Sequence, residues 1–143
     1  MNMTHTKIES WKTEPDQVEW VDPTTKLPCL LRRSHAGSWC GYVGLPKGHP
    51  WWSVHYSDED FADPQVHGGV TFTGHLSADF SAHMLHKMLE LGLIPDELWW
   101  VGFDCNHWGD YAPNDAYNEG TYRTVDYATA ELVNLALQAK VAK

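Results

Sequence analysis

The alternation of apolar and polar residues divides the chain into short extended runs and two helical ones. Gln17–Val21 alternates and predicts a short strand or extended arm, closed by a turn at Asp22-Pro23-Thr24-Thr25. Pro28–Arg33 and Trp39–Leu45 are apolar runs with turn residues between them, which predicts a hairpin around Ser34–Ser38. Gly41 and Gly44 in the second run point to a bulge or a close backbone approach. Pro46-Lys47-Gly48-His49-Pro50 is a turn, and Trp51 to Pro64 reads as a long surface loop. Val66–Thr73 reads as a strand interrupted by Gly68-Gly69. Phe80, Met84, Met88 and Leu91 recur at helical spacing, predicting a helix over 78–91 with Ser77 as N-cap and Gly92 as its stop. Trp99–Phe103 is the next buried strand. Pro113 to Gly120 is a polar loop, and Thr124 caps a last helix over 125–141 striped by Val125, Ala128, Leu132, Leu135 and Ala139. The sum is an α+β domain: a mostly antiparallel sheet with two helices packed on one face. Residues 1–15, polar and nearly free of periodic apolar positions, read as a flexible or loosely packed N-terminus.

Composition narrows the class. A length of 143 residues fits one domain with a core of its own. No apolar run reaches the roughly 20 residues that span a bilayer, and the first residues lack the apolar centre of a secretory signal. Three cysteines, an odd and sparse set, argue against a disulfide framework and for a reducing cytoplasm. The net charge of −9 speaks against a general nucleic-acid groove. Eight tryptophans and nine histidines exceed what a core of this size requires. Such a surplus lines a pocket or an interface, unless the core itself is unusually aromatic.

The chemistry concentrates in Leu98–Tyr111, where an aromatic strand turns abruptly into Asp104, Cys105, His107 and Asp110. Side chains at the end of a rigid strand are held in fixed geometry. Three block motifs stand out: Gly41-Tyr42-Val43-Gly44-Leu45-Pro46 with Gly48-His49-Pro50, Val66-His67-Gly68-Gly69-Val70-Thr71-Phe72, and Trp99 to Asp110. In these blocks, and in the Tyr122-Arg123 pair before the last helix, the chain resembles a family of small proteins carried by bacteriophages and some bacteria. The resemblance spans roughly residues 40 to 140. It implies that His67, Asp104, Cys105, His107 and Asp110 belong to shared motifs, and that the protein is an accessory acting in a host cytoplasm. It brings no reaction with it.

Four uses of the cluster follow from residue types. A divalent metal held by Asp104, His107 and Asp110, with His67 joining from its own segment, would activate water, although no HExxH, HxH or paired CxxC spacing is present; Cys105 points the other way along a strand, toward the core. Without a metal, His67 and His107 could act as general acid and base on a phosphoester or glycosidic bond, with Asp104 or Asp110 fixing a tautomer; the plainer alternative for each is a hydrogen-bonded structural histidine. Binding without turnover would stack a nucleobase on Trp51, Trp52 or Trp108. Asp104, His107, Asp110 and His67 would then hold polar groups, and Arg32, Arg33 or Arg123 a phosphate. Trp99 and Trp100, adjacent on a strand, should face opposite ways. Finally, an exposed Trp51-Trp52 pair beside the acidic run Asp58-Glu59-Asp60 could engage a host protein. The reading favoured here is a small nucleotide-like ligand, for instance a host immune signalling nucleotide that is sequestered; phosphoester hydrolysis is the first alternative and host-protein inhibition the second.

Overall fold

The computed structural model describes residues 9–115 and 119–143. Five strands, β1 (Gln17–Val21), β2 (Pro28–Arg33), β3 (Trp39–Leu45), β4 (Phe72–Gly74) and β5 (Trp99–Asp104), form one antiparallel sheet in the order β1-β2-β3-β5-β4. Two helices complete it, α1 (Ala82–Glu90) and α2 (Val125–Val141). The fold class is α+β, and the β2–β3 hairpin closes on the expected residues, with Ser34 N donating to Ser38 O at 2.8 Å.

The two helices do not share a face. Cys29 and Leu31 of β2, Val43 of β3 and Val101 and Phe103 of β5 pack with Leu132, Leu135 and Ala136 of α2. Their strand neighbours Leu30 and Trp100 pack instead with Met84 and Met88 of α1. Successive strand residues point to opposite faces, so the sheet is a central layer covered on both sides. Trp99 and Trp100 divide accordingly, one toward each helix. The strand glycines mark close approach, not a bulge. A Cβ on Gly41 would sit 2.5 Å from Phe103 Cε1, and one on Gly102 would sit 2.5 Å from Tyr42 Cδ1. The paired positions Gly41–Phe103 and Tyr42–Gly102 each let an aromatic ring lie flat across the neighbouring strand.

Helix α1 begins four residues later than its pattern predicts, because Ser81 and not Ser77 is the cap: Ser81 Oγ accepts from Met84 N at 3.1 Å. The preceding segment is pinned against the sheet. Arg32 donates to Ser77 O (2.9 Å), Ser81 N donates to Glu19 Oε1 (2.9 Å), and Phe80 stacks on Trp100 at 5.6 Å. The stop is as expected. Gly92 takes φ +76°, with Gly92 N on Leu89 O and Leu93 N on Met88 O, the paired bonds of a Schellman ending. Helix α2 occupies the predicted range, with Thr124 Oγ1 accepting from Tyr127 N at 3.1 Å.

Two segments depart from expectation. Residues 66–71 form a turn instead of a strand, since Gly68 and Gly69 both adopt positive φ (+67° and +79°) and Gly69 N closes on Val66 O. Only Phe72–Gly74 pairs with β5. The described part of the N-terminus, residues 9–15, is docked and not loose. Trp11 packs on Tyr111 and Tyr122, with ring centroids 5.3 and 5.1 Å away. Glu14 accepts from Tyr122 OH (2.5 Å), Trp39 Nε1 (3.2 Å) and Val125 N (3.2 Å), and pairs with Arg33 at 3.4 Å. A carboxylate gathering donors from three segments ties the arm to the sheet and to the start of α2.

Candidate functional site

The site forms where β5 runs out. Asp104 ends the strand and holds two donors, Thr71 Oγ1 at 2.8 Å and Asn106 N at 3.0 Å, so the loop leaves the sheet in a set direction. Cys105 continues the alternation into the core, where it is fully buried and its thiol is pushed up by burial first and Asp110 second. A tight turn follows, Asp110 N donating to His107 O at 2.9 Å with Gly109 at φ +93°. Asp110 then pairs in parallel with Thr121, which carries Arg123 to the same place.

Asp110 is the centre. It is 1% exposed, and its carboxylate accepts from His67 Nε2 (2.7 Å), Arg123 Nε (2.8 Å) and His107 N (3.0 Å). Burial pushes its acidity toward the protonated form, but the bonds from Arg123 and His67 and the His107 amide outweigh this and hold it below the usual carboxylate value. Arg123 is held above its ordinary value, chiefly by its bond to Asp110. Asp110 therefore stays ionised and accepts only, which places a proton on His67 Nε2. With the imidazole neutral, Nδ1 becomes an acceptor, and it lies 2.7 Å from Tyr127 OH. The Tyr127 hydroxyl thus donates to His67, whose backbone N–H in turn donates to Glu131 Oε1 at 2.7 Å. Arg123 spreads over the Tyr127 ring at 5.1 Å.

His107 completes the cluster, its ring 6.0 Å from that of His67. It fits only because residue 68 has no side chain: a Cβ there would lie 2.3 Å from His107 Nε2 and Cδ2. Asp104 Oδ1 is 3.3 Å from Nε2, yet that nitrogen is buried and has no hydrogen-bond partner among the described residues. Buried polar atoms are normally satisfied, so this one is conspicuous.

His67, Asp104, His107, Asp110 and Arg123 thus converge, and Trp108, next to His107, stands fully exposed. Trp51 and Trp52 do not join them. Trp51 is 6% exposed in the core under the far end of α2, where neighbouring His49 Nε2 donates to Ala139 O at 2.7 Å. Twelve helical residues separate Ala139 from Tyr127, about 18 Å along the axis. Trp52 is half-buried, its Nε1 bonded to Glu97 O at 2.8 Å. The pair is therefore not the exposed patch expected for docking a host protein. Arg32 and Arg33 are committed elsewhere, to Ser77 O and to Glu14, and line an open cleft of about 460 Å³ with Cys40 and Tyr42.

Nor do Asp104, His107, Asp110 and His67 form a ligand set. Among the described residues, no three His, Cys, Asp or Glu side chains are placed to hold a metal ion. Both ring nitrogens of His67 are bonded within the protein, and Asp110 is shared with a guanidinium. The two-histidine arrangement also changes character, because His67 has no nitrogen left for a substrate. Sequence reasoning missed Tyr127 and Glu131. Their signal was present: Arg123, Tyr127 and Glu131 are spaced by four and so share one side of the helix and its lead-in. No helix among the described residues is long and apolar enough to cross a membrane. No protein-family model, no curated protein and no solved structure matches the chain.

Proposed function

We propose that the Asp110-centred cluster binds a small nucleotide-like ligand, with an anionic group at Arg123 and His107 and a planar base on Trp108. The observation that supports this most is Trp108, a fully exposed indole on a loop whose neighbours are locked in place by Asp110. Loops fixed by a rigid scaffold are where binding groups are mounted. The donors suit an anion. Arg123 binds Asp110 through Nε, and its two terminal nitrogens make no hydrogen bond to any described residue. The His107 side chain is 33% exposed and offers its open ring edge beside Trp108. Asp110 is already neutralised by Arg123, so it does not repel the ligand. The resemblance to phage-carried proteins supports a setting in a host cytoplasm and a signalling nucleotide as the molecule bound.

Stacking of a base on one aromatic is worth about 1–3 kcal/mol, so Trp108→Ala should weaken binding about 5- to 150-fold. Calorimetry against mono-, di- and cyclic dinucleotides, with Trp108 fluorescence quenching alongside, is the test. A panel that gives no heat with the wild type, or an affinity unchanged in Trp108→Ala, rejects the reading.

A further inference from the structure

Tyr127 is the group in this site that the binding reading leaves unused. Its hydroxyl donates to His67 Nδ1 at 2.7 Å, and His67 Nε2 donates to Asp110 at 2.7 Å. The order hydroxyl, imidazole, buried carboxylate is that of an activated nucleophile: base within hydrogen-bond reach, and the base itself oriented by a third group. The base is well fixed. His67 is 13% exposed, its ring stands at 89° to the Tyr127 ring, and its backbone N–H is bonded to Glu131.

We propose that Tyr127 is a base-activated nucleophile toward phosphorus, and that the ligand class of this site is a phosphoester which the protein cleaves. Tyr127 Oη attacks phosphorus, the P–O bond to the leaving alcohol breaks, and the phenolic proton passes to His67 Nδ1. Asp110 stabilises the resulting imidazolium, while the leaving oxygen, in line on the far side of phosphorus, takes its proton from water. Once the imidazolium has lost its proton to water, a second water attacks the phosphotyrosine, its proton passing to His67 Nδ1 and on to the departing tyrosinate, which frees the phosphate and restores the phenol. Arg123 lies over the Tyr127 ring at 5.1 Å, so a positive charge sits close to the group that attacks. Burial and then Glu131 push the Tyr127 hydroxyl above its usual value, so the phenol depends on His67 to take its proton at the moment of attack. Tyr127 is the catalytic residue. His67 acts on its proton, and Asp110 is a positioning residue.

In naming a phosphoester, the inference rests on the nucleotide reading; the reactivity of Tyr127 does not. The test therefore uses an alkyl fluorophosphonate, whose P–F bond breaks as the Tyr127 O–P bond forms and fluoride leaves. Peptide mass mapping follows the rate at each tyrosine. Tyr56, 43% exposed and with no hydrogen-bond partner for its hydroxyl among the described residues, is the internal control. General-base assistance is worth about a hundredfold or more, so Tyr127 should label about a hundredfold faster than Tyr56 and lose that advantage in His67→Gln. Equal rates at the two tyrosines overturn the inference, as does an undiminished Tyr127 rate in a folded His67→Gln variant. If that variant does not fold, the comparison with Tyr56 decides alone. Labelling in a protein that binds no nucleotide removes only the ligand reading, and binding without labelling removes only this one.

Discussion

Replacing Asp110 with alanine strikes the point where three segments meet: the turn carrying His67, the loop from Asp104 to Asp110, and the strand-like stretch through Thr121 to Arg123. The carboxylate holds three donors at 2.7, 2.8 and 3.0 Å and is 1% exposed. Removing one partner of a buried ion pair costs about 3–5 kcal/mol, most of it from the charge left behind. Here the charge left behind is Arg123, 28% exposed, which water can reach. We therefore expect about 2–4 kcal/mol for Asp110→Ala. At this chain length that lowers Tm by roughly 6–15 °C. Asp110→Asn keeps the shape and one acceptor but turns an amide N–H₂ toward a donor, and should fall in the lower half of the same range. Urea unfolding followed by tryptophan fluorescence and far-ultraviolet circular dichroism reads both. A loss below about 1 kcal/mol for alanine, at an unchanged m-value, would show that the cluster is not the junction described.

The same carboxylate sets an acid dependence. Its folded pKa lies below the ordinary 3.8, so its stabilisation is complete above the unfolded value and fades as pH falls through the lower folded one; the gap in stability between wild type and Asp110→Ala should narrow only below about pH 4. Gly68→Ala should cost about 1–2 kcal/mol from its positive φ alone, and its Cβ would displace the His107 ring, so histidine NMR signals should shift at His107 before the fold is lost. Glu14→Ala leaves the Tyr122 hydroxyl and the α2 amide of Val125 without their acceptor, Trp39 keeping its second bond to Tyr122, and should cost about 2–4 kcal/mol in a urea titration; a loss near zero would mean that the N-terminal arm adds nothing to the fold. All three thiols are pushed up by burial, Cys40 to about 11, so iodoacetamide at neutral pH should modify the native protein far more slowly than the urea-unfolded one.

Local periodicity was enough to place β2, β3, β5 and α2, because each carries its own apolar spacing and its own punctuation, such as Thr124 at the start of α2. It was enough, too, to send Trp99 and Trp100 to opposite faces. The sandwiching of the sheet between two helices was misread as one covered face, although Leu30-Leu31 and Trp100-Val101 are consecutive and fully apolar, a pattern that one covered face does not require. The cap of α1 was not, since Ser77 and Ser81 are equivalent locally. Only Glu19, Arg32 and Trp100, all distant in sequence, hold residues 77–80 extended.

For the site, residue types alone singled out His67, Asp104, His107 and Asp110 as chemically charged positions beside an aromatic strand. What each does depends on partners far along the chain: Tyr127 lies 60 residues from His67, and Asp110 lies 43. Such pairs leave no periodic trace in the sequence. The strand order, the positive φ of Gly68 and the parallel bridge at Thr121 bring them together, and those are properties of the packed whole. That is why two histidines that read as equivalent in the sequence differ in the structure, one locked between a carboxylate and a phenol and the other with a buried nitrogen that no described residue pairs.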